Sequence, residues 1–429
     1  MARLIVQGGR PLSGTVTPVP NKNSIIKLLP ASLLTDDEVV ISNVPQSTDV
    51  MILIQIMEKL GSKVSWLDDN TVSINNVGVS SFSIDPLLSD KMKASVMLLA
   101  PLLIRFGRAE MPTPQGCKLG TRPLDVLIEG MIQMGAQYEH TQGTYRLSHT
   151  GLKATEIWQW FPSVTGTENL ILLAVRVPGQ TIIYNAACEP HTQDLCHMLV
   201  AMGAKIEGIG SNRLVITGVD RLHGCKRKTI ADHLDVGGYI AAAAVTGGSV
   251  TIRDAGTQHM GIIIQMMNKL GVHVDVDHHA NTIHVPRNQS MVITKTVKGD
   301  IWRTHALHRP LLPPDFVHTC VVTALYADGQ AIFDNLFYEY GFFFVQELAK
   351  MKANIILANP VTVITTGPNQ FKGAHVMCPD ILQAAYGLLI AALGARGESV
   401  LHSITPLFRR FPDFVSKFTS LGAAIELQE

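Results

Sequence analysis

Three short stretches of this 429-residue chain gather side chains able to handle an anion or a proton. In the first, Lys22 and Asn23 follow Pro20 and Asn21 just ahead of an apolar helical pattern. A helix N-terminus already favours negative charge, so a cation and an amide there suit a phosphate or carboxylate. The second runs from Gln115 to Asp125 as a glycine-punctuated loop, with Cys117 beside Lys118 and near Arg122. Nearby positive charge lowers a thiol's pKa and makes it reactive, although free cysteines are more often core residues. In the third, Ser163, Val164 and Thr165 lead Gly166 into a buried helix, as in a phosphate cradle. Further along, Asp315 follows Pro313 and Pro314, where a carboxylate can cap a helix or act as a general base.

The elements that must position these residues come from a repeat. One phrase recurs, in which two apolar residues bracket a helix end, followed by glycine, a small residue and an apolar strand. Its glycine slot falls at Gly61, Gly135, Gly203, Gly271 and Gly422, and at Lys352 in the fifth copy. Glycine suits the left-handed position that ends a helix before a strand. A second phrase, an alternating strand opened by glycine, precedes each of these helices, as at 179–185, 248–254 and 397–403. Before each such strand lies a small-residue-rich helix, as at 169–177, 238–245 and 383–393, apolar around most of its circumference and so buried. Six βαβ-type units at near-equal spacing therefore make an α/β protein, three units to a domain, with helices inside and sheets around them.

Bulk composition narrows the function. Hydrophobic residues make up 46% and charged residues 16%, which supplies a large core and argues against disorder. Lys plus Arg equals Asp plus Glu, so net charge offers no attraction to nucleic acid or a membrane surface, and any anion site is local. No apolar run approaches the roughly 20 residues that span a bilayer. Six cysteines without a CxxC pair argue against a disulfide framework or zinc site and fit a reducing cytoplasm. His273, His278, His279 and His284 lie on an expected hairpin without a ligand spacing, and Phe342–Phe344 reads as core. Nothing here sets an oligomeric state.

Taken with the six units, the stretches at Lys22, Cys117 and Ser163 resemble the enolpyruvyl transferase family, in its UDP-N-acetylglucosamine branch. The resemblance spans essentially the whole chain, including 185–190 and 202–206, and thins after about Gly256. It implies a two-domain inside-out α/β barrel, with one domain of 22–231 and another of 1–21 plus 232–429, and an active site in the cleft between them. It also implies transfer of the enolpyruvyl group of phosphoenolpyruvate to the sugar 3-hydroxyl, with loss of phosphate and no metal or organic cofactor. By the same resemblance Cys117 protonates the enol carbon or holds an adduct. Lys22 and Asn23 contact phosphoenolpyruvate and the sugar. Arg122, Pro123, Leu124, Asp125 and Val126 surround the uridine diphosphate with Ser163, Val164 and Thr165. Asp315 is the base for the sugar hydroxyl, Arg409 reaches the phosphate, Glu339 and Asp380 are further acids, and Phe337 offers a backbone contact to the sugar.

The chain also departs from the family pattern. A cleft arginine is Lys93 here, which keeps the charge and loses the bidentate fork. Cations expected at 161, 341 and 382 or 383 are replaced by Phe161, Gly341 and Leu382 or Gln383. Each lost charge-assisted bond is worth roughly 1.5–3 kcal/mol. Arg303, His305, His308, Arg309 and Arg410 are the candidates to replace them.

Overall fold

The computed structural model describes residues 2–113, 124–338 and 341–428. They form two compact units, one of 20–113 with 124–230 and one of 2–19, 231–338 and 341–428. Each unit repeats one motif three times. In the third repeat, Glu156–Trp158 leads into the buried helix Val164–Ala174, and Gln180–Tyr184 returns parallel to the first strand. The surface helix Pro190–Ala201 follows, then the antiparallel strands Lys205–Glu207 and Arg213–Thr217, which complete a four-stranded sheet.

Two repeats obtain their first strand from a distant part of the chain. Val39–Ser42 pairs in parallel with Lys226–Lys228, and Ser249–Ile252 pairs in parallel with Ser13–Val16. Arg3–Gly8 lies between Gly397–His402 and Ala424–Gln428, so the N-terminal segment contributes to two sheets of the second unit. These short first strands are absent from the sequence-based repeat. Most run only three to five residues at a sheet edge, too few to show a period. In the second repeat the first strand shrinks to a bridge between Ser83 and Glu110 beside a three-stranded sheet.

The buried helices begin earlier than their apolar runs suggest. Asp232 caps His233–Val245 by accepting from the Leu234 amide at 3.0 Å, and Ser163 caps Val164–Ala174 by accepting from Gly166 at 3.1 Å. All residues of His233–Val245 are buried. It packs against Val317–Tyr326 and Leu382–Gly394. Gly237 and Gly238 let the rings of Phe316 and Tyr386 come close, since added Cβ atoms would lie 2.3 and 2.2 Å from them. Phe342 and Phe344 join this core, while Phe343 is exposed.

The six surface helices end in the left-handed conformation the repeat predicts. Gly61, Gly135, Gly203, Gly271 and Gly422 have φ between 78° and 111°, and Lys352 adopts 71° in the same place. No helix among the described residues is long and apolar enough to cross a membrane.

Candidate active site

Within each unit, several of the sequence-predicted site residues lie at the N-terminal ends of buried helices, whereas Asp125 and Val126 open a surface helix and Phe337, Asp380 and Arg409 lie elsewhere. In the first unit, Asn21 caps the helix Lys22–Ser32 by accepting from the Ser24 amide at 3.0 Å. Lys22 is therefore its first residue and Asn23 its second, both half-buried. Lys22 Nζ sits 2.5 Å from Asp49 Oδ2, a carboxylate in the first turn of Thr48–Leu60. Lys93 opens the 3-10 segment Lys93–Leu98 ahead of the second buried helix, Leu99–Phe106. Ser163, Val164 and Thr165 head the third, half-buried, with the Ser163 hydroxyl already engaged as the cap.

The helix Asp125–Gln133 starts from Leu124. Asp125 is exposed, whereas Val126 is buried, so Val126 can offer a ligand only its backbone. Trp160 donates from Nε1 to Glu129 Oε2 on this helix at 2.8 Å, and Phe161 precedes the Ser163 cap. Cys117, Arg122, Pro123 and Glu339 lie outside the described residues.

In the second unit, three helix starts bring acids and their donors together. Asp232 is fully buried and receives both Nε and Nη2 of Arg410, at 2.6 and 2.9 Å. Burial works against the Arg410 charge, but Asp232 and Asp315 hold the guanidinium protonated above its ordinary range. Arg410 Nη1 lies 3.6 Å from Asp315 Oδ2. The other oxygen, Asp315 Oδ1, accepts from the Tyr338 hydroxyl at 2.8 Å and from Gln383 Nε2 at 2.6 Å. Gln383 thus occupies, as a neutral donor, one of the two registers where a cation is expected. The helix Val317–Tyr326 is headed by Phe316 with no side-chain cap, so Asp315 does not serve it as one.

Phe337 and Tyr338 are fixed by Asn335, whose Oδ1 accepts from their amides at 3.2 and 3.0 Å. The Phe337 ring meets His308 edge-on, centroids 4.7 Å apart. His308 is itself buried. Arg409 is exposed at the end of Thr405–Phe408, and Asp380 is exposed.

The expected substitute cations are largely committed elsewhere. Arg303 and His305 both close on Asp334, at 2.6 and 2.9 Å, and Arg410 is clamped to Asp232. Arg309 Nη2 donates to the His259 carbonyl at 2.5 Å. The cation expected at position 341 does not fit there by simple substitution. A Cβ there would lie 2.5 Å from Asn335 Nδ2, and the Gly341 carbonyl accepts from His318 at 2.6 Å. Burial pushes His318 down to about 4, so the ring is neutral.

Several contributors escaped the sequence reading. Asp49 carried a usable signal, since an acid in the first turn suits the helix dipole. Asp232 carried the cap signal ahead of an apolar run. Tyr338 gave none, because its partner lies 23 residues away. Among the described residues no group of three or more His, Cys, Asp or Glu is arranged to hold a metal, and the four histidines near 273–284 do not converge.

Comparison with known proteins places this geometry. The family model described as EPSP synthase (3-phosphoshikimate 1-carboxyvinyltransferase) matches residues 6–418. A UDP-N-acetylglucosamine 1-carboxyvinyltransferase of Borreliella burgdorferi is 36% identical over 426 residues, 99% of each chain. The chain belongs to the enolpyruvyl transferase family. Proteins of the same description from Bacteroides thetaiotaomicron and Treponema denticola are 35% and 34% identical, over 99% and 100% of each chain. Among solved structures, the enolpyruvyl transferase NikO from Streptomyces tendae superposes with a TM-score of 0.87 at 22% identity, covering 100% of this chain and 99% of that one. The EPSP synthase of Acinetobacter baumannii gives 0.79 at 17%, covering 100% of both. These two likenesses carry the fold, the enolpyruvyl transferase fold built from repeated α/β units.

Proposed function

We infer that this enolpyruvyl transferase moves the enolpyruvyl group of phosphoenolpyruvate to the 3-hydroxyl of UDP-N-acetylglucosamine and releases phosphate, a step of peptidoglycan precursor synthesis. The observation that carries this reading is identity of 34–36% over essentially the full length of relatives described by that one activity. In the reaction, the sugar hydroxyl oxygen attacks C2 of the donor and its proton passes to Asp315. C3 takes a proton from the acid assigned to Cys117, giving a tetrahedral intermediate. Loss of a C3 proton then expels phosphate and restores the double bond in the product. Lys22 and Arg409 supply positive charge for the donor's phosphate and carboxylate, the type of preorganised term that dominates such catalysis. Asn23, Lys93, Phe337 and the segments 122–126 and 163–165 hold the nucleotide sugar.

One observation favours a second reading, a divergent paralogue that acts on another nucleotide acceptor or binds the nucleotide sugar without transferring to it. Positions 161, 341 and 382 carry no cation, and Gly341 is sterically committed. The two are separated by incubating the protein with both substrates and following phosphate release. Release dependent on both substrates is expected. Retained calorimetric binding of the nucleotide sugar with no phosphate released would replace the first reading by the second.

A further inference from the structure

Resting on the reading of Asp315 as the base, we propose that Tyr338 and Gln383 are positioning residues. They saturate Oδ1 of the Asp315 carboxylate and leave Oδ2 as the oxygen that takes the sugar proton.

A carboxylate oxygen has two lone-pair sites in its plane. At Oδ1 both are used, by the Tyr338 hydroxyl at 2.8 Å and Gln383 Nε2 at 2.6 Å. Among the described residues, the nearest cationic donor to Oδ2 is Arg410 Nη1 at 3.6 Å, beyond hydrogen-bonding distance. Arg410 is held there because its Nε and Nη2 fork is spent on Asp232. It stabilises charge on Asp315 without occupying the accepting lone pair. The Asp315 side chain is 21% exposed, so an incoming hydroxyl has access.

The two donors are themselves rigid. The Tyr338 amide is tied to Asn335, its ring packs edge-on against Phe337 with centroids 4.5 Å apart, and its side chain is buried. Gln383 stands in the first turn of Leu382–Gly394, a helix buried along most of its length. Asp315 makes no cap to its own helix, so these side chains, rather than backbone amides, fix the carboxylate plane. In the proton transfer the sugar O–H bond breaks, the proton goes to Oδ2, and the freed electron pair forms the bond to C2 of the donor. Rotation of the carboxylate would misalign Oδ2 with that hydroxyl, and small misplacements of a reacting group cost rate rather than binding.

The test compares Tyr338→Phe, Gln383→Met and the double variant with Asp315→Asn, measuring kcat and KM, with nucleotide-sugar binding by calorimetry. Each single variant is expected to lower kcat about 10-fold, with KM for the nucleotide sugar within about twofold, a split that loss of a substrate contact would not give. Asp315→Asn should lose about 100-fold or more. Wild-type kcat in both single variants and the double, with Asp315→Asn inactive, overturns the positioning role and leaves the base in place. A raised KM at unchanged kcat overturns it too, making these residues substrate contacts. An active Asp315→Asn removes the base, and the positioning role with it. If Tyr338→Phe fails to bind nucleotide sugar, Gln383→Met alone decides by the same criteria.

Discussion

At position 341 a Cβ would meet Asn335 Nδ2 at 2.5 Å, and that amide belongs to a residue whose Oδ1 already holds two backbone N–H groups. Gly341→Ala should therefore destabilise the protein by about 1–3 kcal/mol, read as a lowered midpoint in urea unfolding. An unchanged midpoint would mean that Asn335 yields freely. The resemblance to the family implied a cation where Gly341 stands, but not that Asn335, six places earlier, reserves the space. Thiol chemistry at the same scale is more legible. Burial pushes Cys378 up to about 12, and Cys196 and Cys320 higher still, so these thiols resist alkylation near neutral pH. An epoxide phosphonate should add once, at Cys117, as peptide mass mapping would show. Addition at Cys188 or Cys225 instead would remove the acid assigned to the loop.

Repeating elements were legible because their punctuation is physical. The left-handed residue after each surface helix was readable as glycine in five copies, and the sixth keeps the conformation with Lys352 at φ 71°. The surroundings separate these positions further. A Cβ on Gly61 would lie 2.2 Å from the Gly78 carbonyl, and one on Gly271 would lie 2.2 Å from the Val292 amide, whereas Gly422 has nothing within 4 Å. Gly61→Ala should accordingly cost roughly 3 kcal/mol from strain and collision together. Lys352→Gly should gain about 0.5–1 kcal/mol, the relieved left-handed strain exceeding the extra unfolded-state freedom. Both are read from chemical denaturation, and a destabilised Lys352→Gly would show that the lysine side chain does more than tolerate its backbone. The edge strands stayed hidden for the opposite reason. Glu156–Trp158 and Lys226–Lys228 have three residues each, and only pairing across the fold defines them.

Across the whole molecule, each unit buries an acid that burial holds protonated well above the ordinary carboxylate range, which couples its folding to pH. Burial pushes Glu168 up to about 7 in the first unit, against the pull of Lys27 3.3 Å away. Burial likewise pushes Asp235 up to about 7 in the second, although it accepts from the Val19 amide and the Tyr386 hydroxyl. An unfolded chain releases such protons near pH 4, whereas the folded chain retains them to about 7. Between these values the native state binds more protons, so stability falls as pH rises through the window and levels off above it. Asp235→Asn removes one of the two contributions. An amide can still accept from Val19 through its oxygen and donate to the Tyr386 oxygen through its nitrogen, so the variant should fold. Its unfolding free energy, measured by denaturant titration from pH 4.5 to 8, should decline less steeply below pH 7 than that of the parent. Relative to the variant, the parent should lose stability as its unfolded chain releases the proton that the folded chain retains, and the difference should stay level above pH 7, where only the parent buries a charge. Parallel curves for the two proteins would show that Asp235 ionises in the folded state as readily as in the unfolded one, and that solvent or a counter-charge reaches it at the head of His233–Val245.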